Sequence, residues 1–577
     1  MDERAFSKEY TAYFEQSKDL WGVEYTRCRI SEIKENPNTK DLVLHYQDEK
    51  GDLQHKTFDM VVLSVGSEPP PKAVALAEDM QIELNEYGFC KTDKFEPVDT
   101  SRPGVFVAGA FATPKEIAET VMDASGAAAR CMALLSGKSG TEITTPEYPP
   151  ERDVSDEPLR IGAFACYCSP AIDEVVDVDV VLNRVSRMED VVHTQALEYG
   201  CLNPGMDQLR QAIRDHKLNR VVIGACTPRT HLALFHHCMQ LEGLNPQLLE
   251  FVSLRDNCAW VHSDDPAGAT RKAKEEMRVG VARARHLLPY HKESRCFERS
   301  ALVIGGGLAG MTAALAIADE GYPVSLIEKT DHLGGNLRNL HRTAEGPNPQ
   351  RLLKQLVKRV HSHERIMISY NTEVIGFDGH VGNFQSRLSY AGDGEPARCW
   401  EEEHGVVVVA TGGYEYKGNA FLYGHDPRII TQLELEKRLA EDVDAARDMR
   451  QVDMIQCVNP PEQEVHYCSR TCCTNTMKNA TRIKQINPNC EVYVLYKDLI
   501  TYGFREEYYT EARERGVIFL RYEEDQTPQV QINYGEVEVR VHDVILGQPL
   551  TFKPDVLALS MAIMPAKTNQ SLARTLE

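Results

Sequence analysis

The sequence predicts an α/β protein made of a Rossmann-type dinucleotide-binding domain, a second, degenerate nucleotide-type unit, and a small α/β domain rich in cysteine. Three observations carry this. Residues 301–328 hold a strand, a glycine turn, a helix and a second strand ending in an acid. Residues 451–497 repeat the strand–helix–strand order without the glycines. Several of the sixteen cysteines fall at the ends of apolar strands. A chain of 577 residues is long enough for several domains, each with its own core.

Composition narrows the function classes. Hydrophobic content of 42% and charged content of 26% are ordinary for globular proteins. No run of about 18 apolar residues occurs, so no membrane span is expected. The start, MDERAFSKEY, has no apolar core of a secretory signal, so a cytoplasmic location is expected. Net charge is -22, from 64 basic and 86 acidic residues, and the acids are spread along the chain. That reads as a solvated acidic surface, and nucleic acid, which needs a basic patch, is not an expected partner. A reducing compartment disfavours structural disulfides, so the cysteines point to metal or redox use. Cys28, Cys90, Cys131, Cys238, Cys296, Cys399 and Cys490 stand alone and read as small core hydrophobes.

The first block, residues 1–145, contains the strand-like runs MVVLSVG (60–66) and GVFVAGA (104–110). Residues 146–160, including EYPPERDVSDEPLR, are polar and proline-rich and read as a linker. Residues 161–295 follow an α/β pattern, with strands RIGAFAC and RVVIGAC and the helix GMDQLRQAIRDHKL. Residues 296–450 hold the Rossmann pattern, and 451–577 the degenerate unit. An internal repeat relates the two ends: residues 1–80 and about 502–577 share the order aromatic helix, strand, hairpin, apolar strand, proline, short helix. The first copy continues into PGVFVAGAFATPKEIAETVMDASGAAAR and the second stops before it, so a fragment of a tandem flavoprotein is expected.

In the Rossmann pattern, Gly305, Gly307 and Gly310 fit G-x-G-x-x-G after the strand ALVIGGG, with Glu328 ending the next strand. Gly305 permits the tight turn, Gly307 lets backbone approach a pyrophosphate, and Gly310 permits close helix–strand packing. The helix N-terminus then faces the phosphates, and Glu328 reaches ribose hydroxyls. FAD rather than NAD is suggested by Gly334 and Gly335 in LGG, and by the strand HGVVVVATGG carrying Thr411 and Gly412. PGVFVAGA matches the last FAD-contacting strand of such folds, but Gly109-Ala110 stands where an acid is usual.

The degenerate unit has QVDMIQCV (451–458) as strand, TNTMKNATRIKQI as helix and CEVYVLYK as the next strand. Asn459-Pro460-Pro461 and the run Tyr467–Cys473 replace the glycine fingerprint, so direct NAD binding is not expected. Cys472 and Cys473 are expected at a helix N-terminus, where the dipole favours thiolate and makes them candidate redox thiols. In the middle domain, Cys168 and Cys226 follow predicted strands, and Cys166, Cys201 and Cys258 lie nearby in sequence. Convergence of such thiols suits zinc or an iron–sulfur cluster, with simple burial as the alternative. His231 and His262 read as structural.

Taken together, CYCS (166–169), ACTPRTH (225–231), RDNCAWVH (255–262), VIGGGLAGMTAALAIADEGY, LGGNLRNLHRT, DMIQCV, YCSRTCC and TYGFREEYY resemble the A-type subunit of heterodisulfide reductase and its bacterial relatives. The resemblance covers nearly the whole chain. It implies a thioredoxin-reductase-like FAD domain and a [4Fe–4S] cluster between that domain and the cysteine domain. It also implies electron transfer in anaerobic metabolism, with the flavin splitting electron pairs in the best-known members. By the same resemblance the cluster ligands lie among Cys168, Cys201, Cys226 and Cys258, completed from Cys472 or Cys473, with Cys166 a further candidate. Implied partners are ferredoxin-like or heterodisulfide reductase B/C-like proteins and hydrogenase or dehydrogenase subunits. Ser169 departs from the family's CHCG, and no CxxCxxCxxxC motif occurs. A pyridine nucleotide–disulfide oxidoreductase cycling Cys472 and Cys473 is the competing reading.

Overall fold

The computed structural model describes residues 10–48, 51–291, 293, 296–391, 398–460 and 467–577. They fall into two compact units, one of residues 1–139 with 296–577, the other of residues 140–295.

The smaller unit is a four-stranded parallel sheet in the order Val191–Leu197, Ile161–Cys166, Arg220–Ala225, Leu249–Ser253. Ile161–Cys166 and Arg220–Ala225 are buried at every position, as a sheet covered on both faces requires. Helices Val178–Val185 and Pro266–Ala284 pack on one face. Asn203–Asp215 and Pro228–Leu241 pack on the other. Strand order diverges to either side of Ile161–Cys166, so its carboxyl end is a topological switch point. Residues 146–160 are no free linker. Val154 is buried in the core, Arg152 N donates to Gly243 O at 2.6 Å, and Arg160 N donates to Asn219 Oδ1 at 2.8 Å.

The larger unit holds the Rossmann sheet, parallel strands Ile366–Ser369, Val324–Ile327, Ala301–Ile304 and Val406–Val409 in that order. Helices Leu308–Asp319 and Pro349–Ser362 pack with it in one core. A second, five-stranded parallel sheet runs Ile429–Thr431, Val556–Met561, Gln451–Val458, Glu491–Tyr496, Ile518–Arg521. The antiparallel pair Gly413–Glu415 and Ile563–Pro565 connects the two halves.

The repeat is visible and unequal. Strands Arg29–Glu35, Leu42–Gln47 and Leu53–Phe58 form a three-stranded antiparallel sheet, as do Gln529–Asn533, Glu536–Asp543 and Gln548–Phe552. In the second copy the next segment, Val556–Met561, is buried between two parallel neighbours. In the first, residues 60–66, expected as a strand, form none and expose Met60, Val62, Leu63 and Val65. Apolar alternation makes a strand only where a neighbour supplies the ladder, and the described residues supply none here. Likewise, of residues 104–110 only Phe106 makes a bridge, to Asp99, before the turn Gly109–Phe111. The helix that follows, Ile117–Leu135, packs against Leu308–Asp319.

One buried ion pair ties the larger unit together. Lys478 Nζ donates to Glu436 Oε2 at 2.5 Å, both side chains 4% exposed. Glu436 Oε1 accepts from His341 N and Arg342 N at 2.7 and 2.8 Å, and Lys478 Nζ also donates to Arg342 O at 3.0 Å. Breaking such a pair from one side strands a buried charge at a cost of about 3–5 kcal/mol, whereas replacing both partners costs far less. Glu436→Ala is therefore expected to lower the thermal unfolding midpoint of the purified protein sharply. Glu436→Gln with Lys478→Met should restore most of it. Equal midpoints for wild type and Glu436→Ala would contradict the assignment.

Candidate dinucleotide cradle and two cysteine sets

Strand Ala301–Ile304 ends in a turn that only glycine can make. Gly305 has φ +109°, and a Cβ there would stand 2.5 Å from Ala410 O. A Cβ on Gly310 would overlap Gly305 O. Gly307, which caps helix Leu308–Asp319, has nothing within 4 Å of its Cβ position. That combination leaves the helix N-terminus bare where an anion would lie. The LGG turn closes over it: Gly334 N donates to Gly306 O at 2.8 Å, and a Cβ on Gly335 would stand 3.3 Å from Gly307 Cα. Ala410 N donates to Ile304 O at 2.8 Å, which brings Thr411 and Gly412 to the rim of the same turn. Thr411 Oγ1 donates to Asn569 Oδ1 at 2.8 Å, and Gly412, at φ +69°, faces open space.

Glu328 does more than the motif indicated. Its Oε2 accepts from Gly306 N at 2.8 Å, and its Oε1 accepts from Thr330 N and Thr330 Oγ1, both at 2.9 Å. The carboxylate braces the glycine turn, and its unused lone pairs remain for ribose hydroxyls. Every residue expected in the cradle from the motif thus lies in or beside one turn. Open space at Gly307 and the acid at the second strand fit a dinucleotide.

The cysteines sort differently from expectation. Cys166, Cys168, Cys201 and Cys226 line one small pocket with Tyr199, Gly200, Ala225 and Phe235, at the carboxyl edge of three adjacent strands. A Cβ on Gly200 would stand 2.8 Å from Cys166 Sγ, so glycine is required there. Cys168 takes a left-handed backbone (φ +44°), and its N donates to Glu198 O at 3.0 Å. Burial pushes the Cys166 thiol up to about 12; the Gly200 N–H opposes this, and the three other thiols add to it. Cys258, expected as a ligand, is not among them. It sits in the short π-helix Arg255–Ala259, fully buried in the apolar core, and burial pushes its thiol up to about 11. Its helical turn aims it inward, which the strand-end reasoning could not foresee.

The larger unit carries a second set. Cys472 and Cys473 open helix Cys472–Ile486, as expected. Cys457 and Cys468, absent from the expected ligands, are electrostatic neighbours of Cys472, and Cys457 is also a neighbour of Cys473. Cys457, exposed and next to last in strand Gln451–Val458, takes a left-handed conformation (φ +56°) where the ladder slips register between Ile455 and Val458. Arg470 N donates to Cys468 Sγ and Ile500 N to Cys473 Sγ, both at 3.3 Å. Against the expected dipole-favoured thiolate, burial pushes the Cys472 thiol up to about 12 and Cys457 and Cys468 push the same way, while hydrogen bonds at Ser469 and at its own backbone oppose them. Of the segment replacing the glycine fingerprint, Pro461 lies outside the described residues.

Buried thiols held this high stay protonated unless a metal supplies positive charge. Among the described residues no three His, Cys, Asp or Glu side chains stand ready for a single metal ion. A lone zinc draws its thiolates to about 2.3 Å. An iron–sulfur cluster is larger and spaces its thiolates more widely. All-thiol donor sets with N–H groups directed at sulfur fit the latter.

The family model for pyridine nucleotide-disulphide oxidoreductase matches residues 1–129, and that for the NAD(P)-binding Rossmann-like domain matches residues 303–363. Three curated relatives are similar to most of the chain. One is the first of two A-type iron-sulfur subunits of CoB--CoM heterodisulfide reductase in Methanopyrus kandleri, 30% identical over 513 residues, 72% of this chain and 76% of that protein. Another is the A-type iron-sulfur subunit of the CoB--CoM heterodisulfide reductase of Methanocaldococcus jannaschii, 29% identical over 508 residues, 72% and 77% of the two chains. The third is the A-type subunit of the H(2):CoB-CoM heterodisulfide,ferredoxin reductase of Methanothermobacter thermautotrophicus, 29% identical over 519 residues, 74% and 78%.

The glycines separate binding from folding. Gly307→Val meets open space and should fold with an unchanged circular dichroism spectrum, while bound dinucleotide falls at least about tenfold because the side chain blocks pyrophosphate approach. Gly310→Val should fail to give folded protein. Full dinucleotide content in folded Gly307→Val would exclude this cradle.

Proposed function

The chain belongs to the family of A-type heterodisulfide reductase subunits, and from that premise we propose that it is a flavin- and iron–sulfur-carrying electron-transfer protein working with other redox proteins. FAD is held by Gly305, Gly307, Gly310, Glu328, Gly334, Gly335, Thr411 and Gly412. Two [4Fe–4S] clusters are held by thiolates, one by Cys166, Cys168, Cys201 and Cys226, the other by Cys457, Cys468, Cys472 and Cys473. When bound, FAD supplies two-electron chemistry and the clusters one-electron carriers.

The observation that supports this reading most is the sorting of eight cysteines into two all-thiol sets, each within one unit. The chain's own residues do three things. The glycine turn and helix N-terminus bind and orient the pyrophosphate, and Glu328 fixes the turn. Burial of Cys166, Cys226 and Cys473 raises the cost of an uncompensated thiolate there, which favours a cationic iron group over free thiols. N–H groups at Cys166, Cys468 and Cys473 stabilise negative charge on sulfur. Partners of ferredoxin-like, hydrogenase, dehydrogenase or heterodisulfide reductase B/C-like type suit a carrier of this kind.

The competing disulfide oxidoreductase reading needs Cys472 and Cys473 as reactive thiols. The high position of the Cys472 thiol and the missing glycine turn after Gln451–Val458 weigh against it. Iron analysis decides. In protein purified without oxygen, Cys226→Ala and Cys472→Ala should each lose about half the iron and sulfide while keeping FAD, and the double variant nearly all. Unchanged iron in Cys472→Ala would remove the second cluster and return that pair to redox-thiol duty.

A further inference from the structure

Arg470 sits inside the second cysteine set, between Cys468 and Cys472, and its side-chain partners come from two distant parts of the chain. Its backbone is left-handed (φ +63°), a conformation that a residue with a Cβ adopts only when its surroundings hold it there. In that conformation its N–H points at Cys468 Sγ, at 3.3 Å. The guanidinium turns away to two partners. Nη2 donates to Tyr502 Oη at 3.1 Å and to Glu119 Oε1 at 2.8 Å. Tyr502 is also held by Arg505, whose Nη1 donates to its hydroxyl at 3.0 Å and whose guanidinium lies 4.9 Å from its ring centroid.

Glu119 belongs to helix Ile117–Leu135 of the amino-terminal block, 351 residues away in sequence. That block grips the same region elsewhere. The Tyr87 ring stacks on Phe504 at 5.0 Å, Phe89 meets Phe504 edge-on at 5.7 Å, and Tyr87 Oη donates to Glu507 Oε1 at 2.5 Å. The motif TYGFREEYY is thus the receptor on which the amino-terminal block lands. Arg470 is the point where that landing reaches the cysteines.

We propose that Arg470 is a positioning residue that raises the reduction potential of the iron–sulfur group held by Cys457, Cys468, Cys472 and Cys473, and that Glu119 of the amino-terminal block moderates it. The inference rests on the reading that this set holds such a group. Adding an electron makes a thiolate-bound cluster more negative, and both a nearby cation and an N–H directed at sulfur stabilise that form. The carboxylate of Glu119 lies against the cation and cancels part of its field. Docking of the amino-terminal block thereby sets how readily the cluster is reduced, without touching any sulfur.

The test is a redox titration of the anaerobically purified full chain, followed by electron paramagnetic resonance. The relevant signal is the one lost in Cys472→Ala. Arg470→Gln should lower its midpoint by about tenfold in the reduced-to-oxidised ratio, which is about 59 mV for a one-electron couple. Glu119→Gln, a change on a partly exposed side chain, should move the midpoint the opposite way by a smaller amount. In the Arg470→Gln background, Glu119→Gln should still raise the midpoint, because the fields of the two charges add. An unmoved or raised midpoint in Arg470→Gln overturns the proposal, as does an unmoved or lowered midpoint in Glu119→Gln. Absence of the signal from wild type would instead refute the second cluster itself.

Discussion

The buried Lys478–Glu436 pair is the contact on which the larger unit turns. Glu436 lies on helix Gln432–Glu441 and Lys478 on the helix that begins with Cys472. Glu436 also receives the backbone N–H groups of His341 and Arg342, in the segment that follows the LGG turn. A single desolvated charge pair therefore fixes the cysteine helix against the loop that covers the dinucleotide cradle. Two ions removed from water hold only if all their lone pairs and protons are used, and here backbone groups use them.

Charge logic also accounts for the cysteine sets. Thiols at the carboxyl edge of a parallel sheet lie where ligands collect, but burial alone makes them poor nucleophiles. Cys166 and Cys472 are both pushed to about 12 and both have thiol neighbours that oppose ionisation. A site built to receive iron needs several thiols together and supplies the cation with the metal. The same raised thiols that disfavour free thiol–disulfide exchange suit the binding of iron.

Much of this was legible in the residues, and the failures have physical causes. The βαβ pattern around Gly305, Gly307 and Gly310 marked the cradle because Gly305 and Gly310 have steric tasks that leave no alternative, while Gly307 leaves the helix N-terminus open. The bracing of Gly306 by Glu328 was not legible, since it depends on which way a carboxylate turns. Cys258 was misread because a π-helical turn sends it into the apolar core, and sequence spacing carries no information on that direction. Cys457 was missed because it sits inside an apolar strand pattern, and only the register slip between Ile455 and Val458 redirects it. The apolar run 60–66 was read as a strand from its composition, but a strand is a property of a pair.

Iron at both cysteine sets of one FAD-binding chain would show itself in an anomalous difference map at the iron edge, from crystals of protein kept free of oxygen. Two peaks are expected, one within bonding distance of Cys166, Cys168, Cys201 and Cys226, the other within bonding distance of Cys457, Cys468, Cys472 and Cys473. A map with no iron at either set, or with iron bound by Cys258, would contradict the account.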